Sequence, residues 1–206
     1  MDTQNNTGLG LIKSTIERVQ NQKSLFASAL KKLVNSSEEE INAFLGKVAE
    51  KLQFLKLISG GSKLILRALS GKEVIAKAKN VFVSIDSDFK NWNADQQGPE
   101  TKETECLVYE MEKDANFAQM FGSLNSDLEK LCMSQHQIIE FAKEHSAQLR
   151  KDGYATLFLF KANDQFFVAS VRVCPDGLSV FVRRFEFANV WDADDRIRVV
   201  VPQLAV

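Results

Sequence analysis

The spacing of apolar residues changes partway along the chain, and this change limits the folds that the chain can adopt. In the N-terminal part, the seam positions follow a four–three spacing that one lysine interrupts: Ile12, Ile16, Val19, Lys23, Phe26, Leu30 and Leu33. This spacing places the side chains on one face of a helix. After residue 153, short runs of Phe and Val alternate with turn residues, as strands do. The sequence therefore predicts helices at the front and a sheet at the end.

We predict a helical hairpin or a coiled-coil-like unit over residues 1–60, with helices at about 9–34 and 38–58. Ser37 has a glutamate three residues later, which is the spacing of a capping box at the start of the second helix. The two helices either pack on each other or present the seam to another chain, because four–three spacing is also the repeat of a coiled coil. In the second arrangement, Lys23 sets the register or extends its ammonium group to water.

We predict that residues 61–206 form an α+β domain with a polar loop at about 91–104. Its best-defined helix is expected from Gln135 to Lys151, because Ser134 and Gln137 have capping-box spacing. The predicted strands are a hairpin, a short buried strand and a C-terminal antiparallel meander: 63–69 with 72–78, then 81–85, then 154–161, 165–173, 179–187 and 196–201. Seven phenylalanines of the meander are expected to form the core of the sheet and to pack it on the helix.

The composition favours a folded protein of a reducing compartment. Of the 206 residues, 45% are apolar, which is enough to fill a core without a disulfide or a metal. The three cysteines, Cys106, Cys132 and Cys174, are scattered and odd in number. The N-terminus shows no basic leader, and no apolar stretch approaches the roughly 20 residues that cross a bilayer. We therefore expect a cytoplasmic location, no membrane contact and no cofactor.

The net charge of −1 conceals an uneven distribution. Residues 1–80 carry 13 basic and 7 acidic side chains, residues 81–153 carry 7 and 14, and residues 154–206 carry 6 and 6. A basic part and an acidic part favour docking within the chain, head-to-tail association, or two differently solvated faces. Five arginines of the last part alternate with Phe and Val, as in surfaces that stack single-stranded nucleic acid. Because acidic residues balance them, we do not expect nucleic-acid binding.

Asp86 and Asp88 directly follow the predicted buried strand at 81–85. Two carboxylates in this position are suited to hold Mg²⁺ or Mn²⁺ over a phosphate, since these ions prefer oxygen ligands. The alternative is a turn in which aspartate accepts backbone N–H groups before the next helix. No glycine-rich phosphate loop accompanies the pair in the sequence.

Three possible zinc ligands, Cys132, His136 and Glu140, follow one another at intervals of four residues. They share one helix face only if the helix begins before Cys132. Ser134 is the better N-cap and would leave Cys132 outside the helix, so a solvated polar stripe is the competing interpretation. The second histidine, His145, falls on the apolar side of the same helix and is expected at the edge of the core.

Four blocks of the sequence are distinctive: residues 85–92 (IDSDFKNW), 117–122 (FAQMFG), 152–160 (DGYATLFLF) and 200–204 (VVPQL). Together they resemble an uncharacterised family of proteins from candidate-phylum bacteria. The resemblance covers about residues 60–204 and leaves the helical front outside it. It implies a bacterial, soluble protein and assigns no catalytic residue.

These patterns favour a non-enzymatic interaction or scaffolding protein that self-associates or docks a partner protein through its basic front helices. The sequence offers no nucleophile, histidine and acid at a recognisable catalytic spacing. The alternative is a metal-dependent enzyme that acts on a phosphorylated or nucleotide substrate through Asp86 and Asp88.

Overall fold

The computed structural model of the chain describes residue 37 and residues 53–152 and 154–203. Except for Ser37, these residues belong to the unit Leu52–Val206. The seam positions and the first predicted helix therefore lie outside the described residues. The second predicted helix reaches into them only at its end, and there the prediction is wrong, because Leu55–Leu57 form a strand.

One mixed sheet of eight strands forms the frame of the described unit. The strands are β1 (Leu55–Leu57), β2 (Leu64–Leu66), β3 (Phe82–Ile85), β4 (Thr104–Met111), β5 (Ala155–Ala162), β6 (Gln165–Cys174), β7 (Gly177–Arg184) and β8 (Arg198–Pro202). The α-helices of the described part are α1 (Asp88–Asn91), α2 (Phe117–Leu124) and α3 (Gln135–Glu144). None of these described helices is long and apolar enough to span a membrane.

The strand order is β1-β4-β8-β5-β6-β7-β3, and β2 also pairs with β4. Most neighbouring strands are antiparallel, but β5 pairs with β8 in parallel and β3 pairs with β7 in parallel. The last strand, β8, therefore lies in the middle of the sheet between β4 and β5 rather than beside β7.

This arrangement corrects the predicted fold class, an N-terminal helical hairpin followed by a mixed domain with a C-terminal antiparallel meander. The described unit is mostly a large mixed sheet with few helices, and its strands come from both halves of the chain. Strands β5, β6 and β7 do form an antiparallel series, but the predicted fourth strand of the meander leaves that series to pair with β4 and β5. Apolar periodicity reports which face of a strand is buried and carries no information on which strands are neighbours.

Both faces of the central strands are covered. Alternate residues of β5 point to opposite faces, and they belong to two separate core clusters: Phe158 and Phe160 to one, Leu157 and Leu159 to the other. Helix α3 contributes to the first cluster, where the ring of Phe141 lies 5.5 Å from that of Phe158, centroid to centroid. A strand that is buried on both faces reads as a continuous apolar run, which explains the sequence of β5.

The predicted hairpin at 63–69 and 72–78 is wrong in its second strand. Only Leu64–Leu66 form a strand, and Ile75–Lys77 form a turn of 3₁₀-helix. The backbone N–H of Ile75 donates to the side chain of Gln135 at 3.0 Å, so this segment bonds to α3 and not to β2.

Helix α3 begins as predicted and ends earlier. Ser134 accepts a hydrogen bond from the N–H of Gln137, and the side chain of Gln137 accepts one from the N–H of Ser134, which confirms the capping box. The helix stops at Glu144, and Ser146–Gln148 continue as a 3₁₀ turn.

Of the seven phenylalanines predicted for the sheet core, Phe158, Phe160 and Phe167 are fully buried. The prediction is wrong for Phe187, which is 45% exposed because β7 ends at Arg184 and leaves it in the following loop.

Candidate functional site

The predicted metal ligand Asp86 lies at the end of β3, and the protein itself supplies donors to both of its oxygens. Its Oδ1 accepts the N–H of Asp88 at 3.1 Å, and its Oδ2 lies 3.3 Å from the guanidinium of Arg183. The N–H of Val182 also points at Oδ2, at 3.4 Å. The first contact is that of an aspartate in the turn before a helix, and the other two join this turn to the end of β7.

The second predicted ligand, Asp88, is the first residue of α1, and its Oδ1 accepts the side-chain amide of Asn91 at 3.0 Å. A divalent ion shared by the two carboxylates would compete with Arg183, which already pairs with one oxygen of Asp86. The Asp86–Asp88 metal site therefore stays a prediction that competes with an internal ion pair.

A cleft of about 550 Å³ opens beside this pair, and we call it the Trp92–Phe187 cleft. Its lining residues are Asp88, Trp92, Arg183, Arg184, Glu186 and Phe187. The guanidinium of Arg184 lies 5.3 Å from the centre of the Trp92 ring, and that of Arg183 lies 5.9 Å from the Phe187 ring. Aromatic rings and arginines on an accessible surface are the residues that protein interfaces prefer.

Charged side chains of α3 meet charged side chains of residues 67 and 73, and we call this group the Glu140 cluster. Its members are Arg67, Glu73, His136, Glu140 and Lys143. Glu140 is 3% exposed, and its carboxylate lies against the guanidinium of Arg67 at 3.0 Å and against the ammonium of Lys143. Lys143 is also 4.0 Å from Glu73, whose other oxygen lies 3.7 Å from Nε2 of His136.

The cations of this cluster decide the charge of Glu140. Burial alone would raise the pKa of this carboxyl, but the hydrogen bond from Lys143 and the charges of Lys143, Arg67 and His136 together lower it below its usual value. Glu140 is therefore an ion inside the protein, and its charge is balanced by its neighbours.

Spacing along the chain predicts that His136 and Glu140 share one side of α3, and that Ser134 as the cap leaves Cys132 outside the helix; the structure confirms both. Cys132 lies before the cap at Ser134, and its thiol donates to the carbonyl of Leu128 at 3.4 Å, away from the cluster. Glu73 lies close to His136 and Glu140 in the fold but far from them in sequence, and no local pattern points to it.

The other histidine is a core-edge residue, as predicted. His145 ends α3, its ring lies 5.2 Å from that of Phe141, and its Nε2 is 3.2 Å from the carbonyl oxygen of Ile65. These contacts hold the ring between the helix and β2.

A second, more polar cleft of about 590 Å³ lies at the start of α3. Its walls come from the loop that joins α1 to β4, from residues 129–137, and from the turn between β5 and β6. Lys161 in this cleft pairs with Glu129 at 2.7 Å and with Asp164 at 3.4 Å. The ammonium group is therefore already paired with two carboxylates.

Two of the three cysteine thiols, those of Cys106 and Cys132, offer little nucleophilic character. Burial, reinforced by the charge of Glu105, raises the pKa of Cys106 to about 12. Burial also raises the pKa of Cys132 to about 12, with the charges of Glu129 and Asp127 adding to it against the opposing charge of Lys161. Because the thiolate is the nucleophile, both thiols are in the unreactive protonated form at pH 8.

We expect a thiol-labelling reagent at pH 8 to modify only Cys174 rapidly in the folded protein. Cys174 is partly exposed, whereas Cys106 is buried and both Cys106 and Cys132 are held protonated. Absorbance of the released chromophore should show one fast equivalent, which Cys174→Ala removes and Cys132→Ala leaves unchanged. Fast labelling of Cys132 would contradict this prediction.

No family model, curated protein or solved structure matches the chain.

Proposed function

We propose that the protein is a non-enzymatic interaction or scaffolding protein that self-associates or docks a protein partner. The observation that carries this proposal within the described residues is the Trp92–Phe187 cleft. A phenylalanine that is 45% exposed lies there next to two arginines, each stacked on an aromatic ring. Aromatic side chains and arginines are the residue types that are enriched in protein interfaces.

The chemistry of the other groups supports the same proposal. The carboxylates of Asp86 and Glu140 are each paired with cations, and the thiols of Cys106 and Cys132 are held protonated. We infer a cytoplasmic location from the free state of the three cysteines, since an oxidising compartment favours disulfides.

The second docking surface of this proposal is the basic front segment, for which the sequence predicts a helical seam. Their four–three seam is argued from sequence, because the seam positions lie outside the described residues. A seam of this kind joins helices of two chains when it repeats over several turns, and the repeat then forms a coiled coil.

The test is sedimentation velocity of the full chain over a range of concentrations. The wild-type protein is expected to sediment as a multiple of 23.1 kDa. Leu30→Glu is expected to weaken self-association by about 100-fold, because it places a charge in the apolar seam. Ser28→Glu is the matched control, since it adds the same charge on the opposite side of the predicted helix, and it should leave the mass unchanged.

A wild-type mass of 23.1 kDa at every concentration would exclude self-association. The partner form of the proposal then requires a second polypeptide in the native mass spectrum of protein purified from its own source. A bare monomer in both experiments would contradict the proposed function.

A further inference from the structure

We propose that Glu73, His136 and Glu140 bind one divalent transition-metal ion of the Zn²⁺ type. This site is independent of the docking surfaces proposed above. One ligand atom from each of the three side chains lies within 4.8 Å of the other two. Helix α3 positions two of them because residues four apart share one side of a helix, and Glu73 comes from the segment before the 3₁₀ turn Ile75–Lys77.

The separations suit a tetrahedral ion after a small adjustment. Ligand bonds of about 2.1 Å at a tetrahedral centre put neighbouring ligand atoms about 3.4 Å apart. Nε2 of His136 is already 3.7 Å from Oε1 of Glu73. Glu73 is half exposed, so its side chain can move by the remaining distance without disturbing the core. The fourth position of the ion is then available to water or to a ligand from solution.

The imidazole of His136 points to a ligand that the protein itself does not supply. The residue is 8% exposed, and its Nδ1 has no hydrogen-bond partner among the described residues. Its Nε2 lies 3.7 Å from a carboxylate oxygen of Glu73. Buried polar groups in folded proteins nearly always have a partner. An imidazole beside two carboxylates prefers Zn²⁺ and similar ions to Mg²⁺ or Ca²⁺, which favour oxygen ligands alone.

Lys143 shows that the space between the two carboxylates attracts a cation. Its ammonium group contacts Glu140 and lies 4.0 Å from Glu73, so one positive charge is shared between the two carboxylates. The lysine side chain is long and one-third exposed, so it can withdraw to water when a divalent ion arrives. The ammonium group and the metal ion therefore compete for the same two carboxylates, while Arg67 keeps its contact with the far oxygen of Glu140.

Isothermal titration calorimetry of the full chain with Zn²⁺ tests the proposal, with Mg²⁺ as the comparison ion. The wild-type protein is expected to bind one Zn²⁺ and to show no comparable heat with Mg²⁺. His136→Gln and Glu73→Gln should each weaken Zn²⁺ binding by at least about tenfold. Lys143→Met should strengthen it by about tenfold, because the competing cation is gone. His145→Gln is the matched control and should bind as the wild type does.

Glu73 is half exposed, so Glu73→Gln keeps the test valid if His136→Gln fails to fold. Absence of Zn²⁺ binding by the wild type would overturn the proposal, and so would equal binding by the wild type and both ligand variants. Asp86→Asn separates the two metal predictions. Loss of binding in that variant would assign the ion to Asp86 and Asp88 and would also overturn the proposal.

Discussion

Replacing Gly71 by alanine is expected to lower the free energy of unfolding by about 4 kcal/mol. An added Cβ would lie 2.2 Å from the carbonyl oxygen of Pro99 and 2.3 Å from that of Gly98. Both atoms belong to the backbone, so no side-chain rotation relieves the contact. Gly71 also has a φ of +71°, a backbone conformation that residues other than glycine rarely adopt. The Gly71 carbonyl accepts the N–H of Gly98 at 3.0 Å, so the clash would separate two segments that are bonded to each other.

Chemical denaturation followed by circular dichroism measures this loss. Gly122→Ala is the matched control: Gly122 lies inside α2, and its added Cβ meets nothing within 4 Å. That substitution should raise stability by about 0.5–1 kcal/mol, because alanine is the better helix former. A loss below about 1 kcal/mol for Gly71→Ala would mean that the loop at 98–99 moves away freely, contrary to the structure.

Gln135→Leu is expected to lower the free energy of unfolding by about 3 kcal/mol. The side chain is 3% exposed and bonds three backbone groups of two other segments. Its Oε1 accepts the N–H of Ile75 at 3.0 Å, and its Nε2 donates to the carbonyls of Ala94 and Gln96 at 2.8 Å each. Leucine has a similar volume but leaves these groups without partners, and a buried polar group without a partner is expensive.

Denaturation gives the size of this effect, and hydrogen exchange gives its location. The amide of Ile75 should exchange faster in Gln135→Leu than in the wild type, since its acceptor is gone. Gln97→Leu is the control. Gln97 lies in the loop whose backbone Gln135 bonds, but its own side chain is exposed and makes one hydrogen bond, to the carbonyl of Lys72 at 2.9 Å. It should change stability by no more than about 0.5 kcal/mol. Equal losses in both variants would show that the buried amide network does not hold the segment at Ile75.

The elements that could be predicted from sequence depend on neighbours along the chain. The capping box of Ser134 and Gln137 is a local exchange of hydrogen bonds, so its spacing alone identified the start of α3. The strands around β5 and β6 were found in the same way, because two turn residues, Asn163 and Asp164, separate their apolar runs.

The features that escaped prediction depend on residues far apart along the chain. Ile75 turns away from a strand because it bonds to Gln135, 60 positions later. Arg183 reaches Asp86 across 97 positions and gives this predicted metal ligand an ion-pair partner that no local pattern indicates. Glu73 joins His136 and Glu140 only because the fold brings the start of the 3₁₀ turn to α3. Spacing within one helix or strand contains no information on these contacts.

The position of β8 also has a consequence for how the protein folds during synthesis. Residues 198–202 complete the pairing of both β4 and β5. Until they have been synthesised, one edge of each of these strands has no partner, and β5 is a strand that is buried at every residue except Lys161. Exposed apolar edges of this kind invite pairing with other chains. The middle of this sheet is therefore completed only after residues 198–202 have been synthesised.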